Sequence, residues 1–116
     1  MSLSIHVHSD NGAMVVELSG TANAPMLEPL AEPLTAALAD AKVLVLDLDD
    51  LENVDAGSLR ELITDVLATA RGGQLRIAAG HAATVASLAE ARVHHLVAVH
   101  RSVSDALAPD PETRRR

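Results

Sequence analysis

The sequence of 116 residues contains no cysteine, no phenylalanine, no tyrosine and no tryptophan. Without cysteine there are no disulfides, thiolate metal ligands or thiol nucleophiles, and no residue asks for an oxidising compartment, so a cytoplasmic location is expected. Without aromatic rings there is no platform on which bases or sugars could stack. Lysine occurs once, at Lys42, and the net charge of −7 repels a phosphate backbone, so nucleic acid is not an expected partner. No apolar run approaches the roughly 20 residues of a membrane span, and Met1 to Asp10 alternates polar and apolar residues where a signal peptide has a basic start and an apolar stretch. Membrane insertion and export are therefore not expected.

What remains is a chain 48% apolar whose core must be built from Leu, Val, Ile, Met and Ala. Its length suits one domain with a single core and leaves no room for a second. The domain is expected over residues 3–108. Residues 109–116 read as a disordered tail, with two prolines and five charges in eight residues. The tail holds the only basic cluster, Arg114, Arg115 and Arg116, against Asp110 and Glu112, which leaves −8 on the residues before it.

Leu3, Ile5 and Val7 alternate with Ser4, His6 and His8, the period of a half-buried strand. Asn11-Gly12 is a hairpin turn, so Met14 to Ser19 is predicted to pair back antiparallel and to end at Gly20. Leu27, Leu30, Leu34 and Leu38 recur at helical spacing behind Asn23 as N-cap, with Pro29 and Pro33 making the first turns irregular. Val43 to Leu48 is the nearly continuous apolar run of a central strand covered on both faces. A loop, Asp49 to Asp55, leads to the clearest helix, whose stripe is Leu59, Leu62, Ile63, Val66, Leu67 and Ala70. Gly72-Gly73 stops that helix before a strand at Gln74 to Ala79. A helix at Ala82 to Ala91 with Val85 and Leu88 inward, a strand at Leu96 to Val99 and a last helical stretch at Val103 to Leu107 complete the order β-β-α-β-α-β-α-β-α. That order predicts a single α/β domain, a mixed sheet with an N-terminal antiparallel hairpin and parallel central strands, and helices packed against it.

Ligands of open α/β sheets gather at the carboxyl ends of the strands, which points to the segment after the central strand. From Asp47 to Asp55 it carries five carboxylates and no base. A calcium loop needs an oxygen ligand where Leu51 stands and a glycine that does not follow. A phosphoreceiver needs an acidic pair after the first strand and a late lysine, whereas Lys42 precedes the central strand. No phosphate-binding G-x-x-x-x-G-K-[ST] and no G-x-S-x-G nucleophile elbow is present. The six histidines include His6 with His8 and His94 with His95, and both pairs read as surface residues. No catalytic group, cofactor or metal is expected. At the helix start, Asp55 caps by accepting from the amides of Gly57 or Ser58, or Ser58 is itself the N-cap in a capping box with Glu61. Either arrangement leaves a helix N-terminus, where an added phosphate is favoured.

The turn Gly20 to Pro25, the strand Leu44 to Leu48, the segment Val54-Asp55-Ala56-Gly57-Ser58-Leu59, the Gly72-Gly73-Gln74-Leu75 stretch and the close Ser102 to Leu107 together resemble the STAS domain of bacterial anti-sigma factor antagonists. The likeness implies a non-enzymatic regulator of transcription that binds an anti-sigma factor, itself a serine kinase, through the loop and helix around residues 55–66. Asn23, Asp55, Ala56, Gly57, Leu59 and Glu61 are then the partner-binding residues. The family's phosphoacceptor stands two residues after the Asp, where this chain has Gly57, and the usual glycine is Ser58, so Ser58 is the candidate phosphoacceptor. The family's Asp at the position of Asn23 is also missing. The alternative implied by Gly57 is a STAS subunit, never phosphorylated, of a larger regulatory or transport assembly.

Overall fold

The computed structural model describes residues 3–10, 12–70 and 72–108, so Asn11 of the expected turn and the expected tail 109–116 lie outside the described residues. Alternation in the first strands produces β1 (Leu3–Asp10) and β2 (Ala13–Ala22), paired antiparallel from Leu3 opposite Gly20 to Asp10 opposite Ala13. Gly12 turns the chain between them at φ +86°, which an L side chain rarely adopts. The chain then crosses through α1 (Ala24–Leu27), a 3-10 turn at Glu28–Leu30 and α2 (Ala31–Asp40) into β3 (Val43–Val54). It continues through α3 (Ala56–Thr69), β4 (Gln74–Ala78), α4 (Ala82–Glu90), a 3-10 turn at Val93–His95, β5 (Ala98–His100) and α5 (Val103–Leu107). The five strands lie in the order β1-β2-β3-β4-β5, antiparallel only between β1 and β2.

Parallel neighbours taken in sequence order with crossovers of one hand put their helices on one side of the sheet. Accordingly α1 to α4 share a core with Val16, Leu18, Leu44, Leu46, Leu48, Leu75 and Ile77. The opposite face holds a smaller cluster, where Ala106 of α5 covers Val15, Val45 and Ala78. Arg76 secures α5 by donating from Nη1 to the carbonyl oxygens of Ala106 and Ala108. Leu44, Val45 and Leu46 are all fully buried, so β3 is the doubly covered central strand its apolar run predicts.

The prolines act as expected. Pro29 sits in the 3-10 turn and Pro33 in the first turn of α2, where a missing amide hydrogen costs no internal hydrogen bond. Four expectations are corrected. The acidic segment Asp49 to Val54 is strand rather than loop, because β2 also continues past Gly20 to Ala22 and pairs with it, Ala22 opposite Val54. Gly20, at φ +95°, lies within β2 next to a register shift, so this glycine marks a bulge and not a strand end. The last strand is Ala98–His100, since Val93–His95 closes a 3-10 turn after Arg92 at φ +59°. Finally, Ile5 (44% exposed), Val7 (58%), Leu67 and Val85 are open to solvent; Thr84 and Leu88 supply the buried face of α4.

Candidate functional site

The parallel pairing of β2 with β3 brings their carboxyl ends level, and the residues after them, Asn23 and Asp55, each open a helix. Asn23 accepts at its carbonyl from the amides of Met26 and Leu27 at 3.0 and 2.9 Å, while its side-chain Oδ1 is buried with no partner. Asp55 is the N-cap of α3. Its carboxylate accepts from the Ser58 amide at 3.2 Å and its carbonyl from the Leu59 amide at 2.9 Å. The capping alternatives are thereby decided: Asp55 caps, and Ser58 is the third residue of the helix, its amide serving as the capped donor.

Successive residues of this first turn face different surroundings. Gly57 is exposed, and a Cβ placed on it meets only Asp55 Oδ1, at an ordinary 3.6 Å. Ser58 is half-buried and lines a groove between α1, the start of α2 and α3, together with Leu27, Glu28, Ala31, Glu61, Leu62 and Asp65. Ser58 therefore shares this groove with three acidic residues, Glu28, Glu61 and Asp65. Leu59 is fully buried in the main core, which corrects its assignment as a contact residue: it anchors α3 and offers a partner no surface. Arg60 donates from Nη1 to the carbonyl oxygens of Ala91 and Arg92, both at 3.0 Å, and so ties α3 to the end of α4.

Carboxylates within β3 also make backbone contacts. Asp47 accepts from the Asp49 amide at 3.1 Å, and Asp49 accepts from the Gly80 amide, joining β3 to the turn after β4. Burial pushes the Asp47 carboxyl above its ordinary range, and the negative charges of Asp49, Glu17 and Asp50 add to the shift, while the Asp49 amide opposes it.

A family model described as "Mlab, STAS domain" matches residues 5–98. The chain belongs to the STAS domain family. Among solved structures, an anti-sigma factor antagonist from Mycobacterium paratuberculosis is 22% identical, with a TM-score of 0.78 over 91% of this chain and 92% of that one. The anti-sigma factor antagonist SpoIIAA in its unphosphorylated form is 10% identical, with a TM-score of 0.58 over 90% of this chain and 92% of that one. No curated protein sequence matches the chain. At these identities the structural likeness establishes the shared fold.

On the STAS frame, Asn23, Asp55, Ala56 and Gly57 follow the carboxyl ends of the paired strands β2 and β3, with Glu61 one turn further along α3. Sequence reasoning missed Glu28 and Asp65, which share the groove with Ser58 and Glu61. Asp65 was legible as the i+4 neighbour of Glu61 on the polar face of α3. Glu28 was not, because its place depends on how the 3-10 turn packs against α3. Among the described residues no helix is long and apolar enough to cross a membrane.

Proposed function

We propose that this STAS domain works by binding, and that its partner is an anti-sigma factor with serine kinase activity. It docks through the start of α3, with Asp55, Ala56, Gly57 and Glu61 in contact and Asn23 beside them. Occupying the anti-sigma factor in this way releases a sigma factor to RNA polymerase. The observation that carries the reading is that Asn23 and Asp55 follow paired strand ends, with Asp55 and Gly57 exposed, in a fold shared with two anti-sigma factor antagonists. Phosphorylation of Ser58 is the proposed switch: it would add about −1.5 to −2 charges at the docking edge and oppose association.

A second reading, a STAS subunit that is never phosphorylated and stays bound in a larger regulatory or transport assembly, is favoured by a different observation. The exposed position 57 has no hydroxyl, and Ser58 is half-buried in a groove it shares with Glu28, Glu61 and Asp65. Intact-mass analysis separates the two. The full chain, Ser58→Ala and Gly57→Ser are incubated with ATP and the serine kinases of the source organism, and kinase binding is measured in parallel. One phosphate on the wild type that is absent from Ser58→Ala supports the switch. Phosphate on Gly57→Ser alone, with kinase binding retained by the wild type, makes the protein an unswitched binder. No kinase binding at all overturns the antagonist reading and leaves the assembly subunit.

A further inference from the structure

β1 is an edge strand, and among the described residues β2 is the only element against which it packs extensively. All of its residues but Leu3 are exposed, including the apolar Ile5 and Val7. The pair that closes the tight turn, Asp10 with Ala13, is a hydrogen-bonded one, and such pairs alternate with non-hydrogen-bonded pairs along an antiparallel ladder. Ser4, His6 and His8 therefore direct their backbone groups to β2, whereas Leu3, Ile5, Val7 and Ser9 turn N–H and C=O groups outward. Such an edge invites another strand, and proteins ordinarily blunt it with lysine, proline or a bulge. β1 has no lysine, arginine or proline, pairs with β2 in continuous register, and carries its one carboxylate at the far end, on Asp10.

We propose that β1 pairs antiparallel with β1 of a second copy of this chain, across a two-fold axis perpendicular to the sheet at His6, so that two five-stranded sheets join into one. The strand is self-complementary in that register. Leu3 lies opposite Ser9 of the second copy and Ile5 opposite Val7 of the second copy, and these four are the residues whose backbone groups point outward, so every such pair is hydrogen-bonded. Ile5 and Val7, open to solvent in one chain, cover each other's counterparts on the helical side of the sheet. Asp10 falls beyond the last pair, so no two carboxylates oppose each other. Shifting the axis by one residue leaves Leu3 or Ser9 without a partner in the strand. The seven paired residues span about 24 Å, a contact in the size class of weak, transient interfaces, so association is expected at micromolar concentration. It uses none of the residues proposed to hold the anti-sigma factor, and its failure would leave that reading untouched.

The test is sedimentation velocity of the full chain from low micromolar to millimolar concentration, with a cross-link that reads the register. Wild type is expected to pass from one chain per particle to two. Val7→Lys, which sets a charge at an exposed position of the edge, should weaken association roughly tenfold or more while circular dichroism stays that of the wild type. The chain has no cysteine, so a single introduced one can pair only with its copy. At the axis, position 6 forms a non-hydrogen-bonded pair with Cα atoms about 4.5 Å apart, inside the roughly 4.4–6.8 Å that a disulfide spans. His6→Cys should therefore oxidise to a covalent dimer in air. Ser4→Cys, about 14 Å from its copy along the strands, should remain a thiol under the same conditions. A wild type that stays one chain per particle at millimolar concentration, or a His6→Cys chain that cross-links no faster than Ser4→Cys, overturns the proposal.

Discussion

Alanine at Gly73, compared with alanine at Gly72, measures how tightly the β3–α3–β4 crossover closes against α2. Gly73 has φ +78°, and a Cβ built there lies 2.5 Å from the Leu38 carbonyl oxygen, 2.8 Å from that of Ala41 and 2.9 Å from Leu38 Cδ1. Two costs therefore add. Holding an L residue in the left-handed region costs about 1–2 kcal/mol, and forcing two backbone carbonyls aside adds an overpacking cost of about 1–3 kcal/mol. Gly73→Ala is thus expected to lose roughly 2–5 kcal/mol of the 5–15 kcal/mol typical of a domain. At about 4 °C per kcal/mol for a chain of this length, Tm falls by roughly 8–20 °C. Gly72 is not held in the left-handed region and has nothing within 4 Å of an added Cβ, so Gly72→Ala should be neutral or stabilising by up to about 1 kcal/mol. Urea denaturation followed by far-UV circular dichroism reads both, and the slope with denaturant should not change. Equal stabilities for the two variants would refute the reasoning, because adjacent glycines would then differ in surroundings without differing in consequence.

Two further substitutions address the candidate site. Asp55→Ala removes the cap of α3 and should cost about 1 kcal/mol in urea denaturation, whereas Asp55→Asn, which keeps an accepting oxygen for the Ser58 amide, should cost only a few tenths of that; equal losses would show that the cap is not the source. Asp47→Asn keeps the acceptor for the Asp49 amide while removing a carboxylate whose folded pKa is raised above the usual 3.8. Because the folded state keeps the proton longer than the unfolded state, the wild type loses stability as pH rises from the unfolded pKa through the folded one. The variant's advantage should therefore be absent below about pH 3.8, grow across that window and then level off, and an advantage independent of pH would contradict the raised pKa.

The sequence makes the sheet legible where one residue pattern admits one environment. Leu44, Val45 and Leu46 leave no polar face, and only a doubly covered strand accommodates that. It misleads where pairing overrides composition. Asp49, Asp50 and Glu52 are poor strand formers, yet β2 runs alongside them and the ladder continues to Val54. Periodicity identifies a face but not what covers it, so Ile5 and Val7 point toward the helical side of the sheet from an edge strand and remain open to solvent. The helix start at Asp55 was legible to within one capping choice, since Asp55 and Ser58 both satisfy the local pattern and only the observed hydrogen bond selects Asp55. The groove was not legible, because Glu28 and Glu61 are brought together by packing between distant elements.

The exchange of glycine and serine across positions 57 and 58 separates docking from switching in the proposed function. Consecutive residues of an α-helix are about 100° apart around its axis, so moving a hydroxyl by one position changes its surroundings entirely. At position 57 it would stand in solvent beside the first-turn amides, where the helix dipole favours a phosphate, and the 3.6 Å clearance to Asp55 Oδ1 shows that the backbone accepts a side chain there. At position 58 the residue is half-buried in a groove lined also by Glu28, Glu61 and Asp65, whose negative charge opposes an added phosphate. Docking depends on neither hydroxyl, since Asn23, Asp55 and Glu61 keep their places in both cases. Binding can therefore persist where switching is weak, and Gly57→Ser places a phosphoacceptor on the exposed side of α3 while leaving Asn23, Asp55 and Glu61 unchanged.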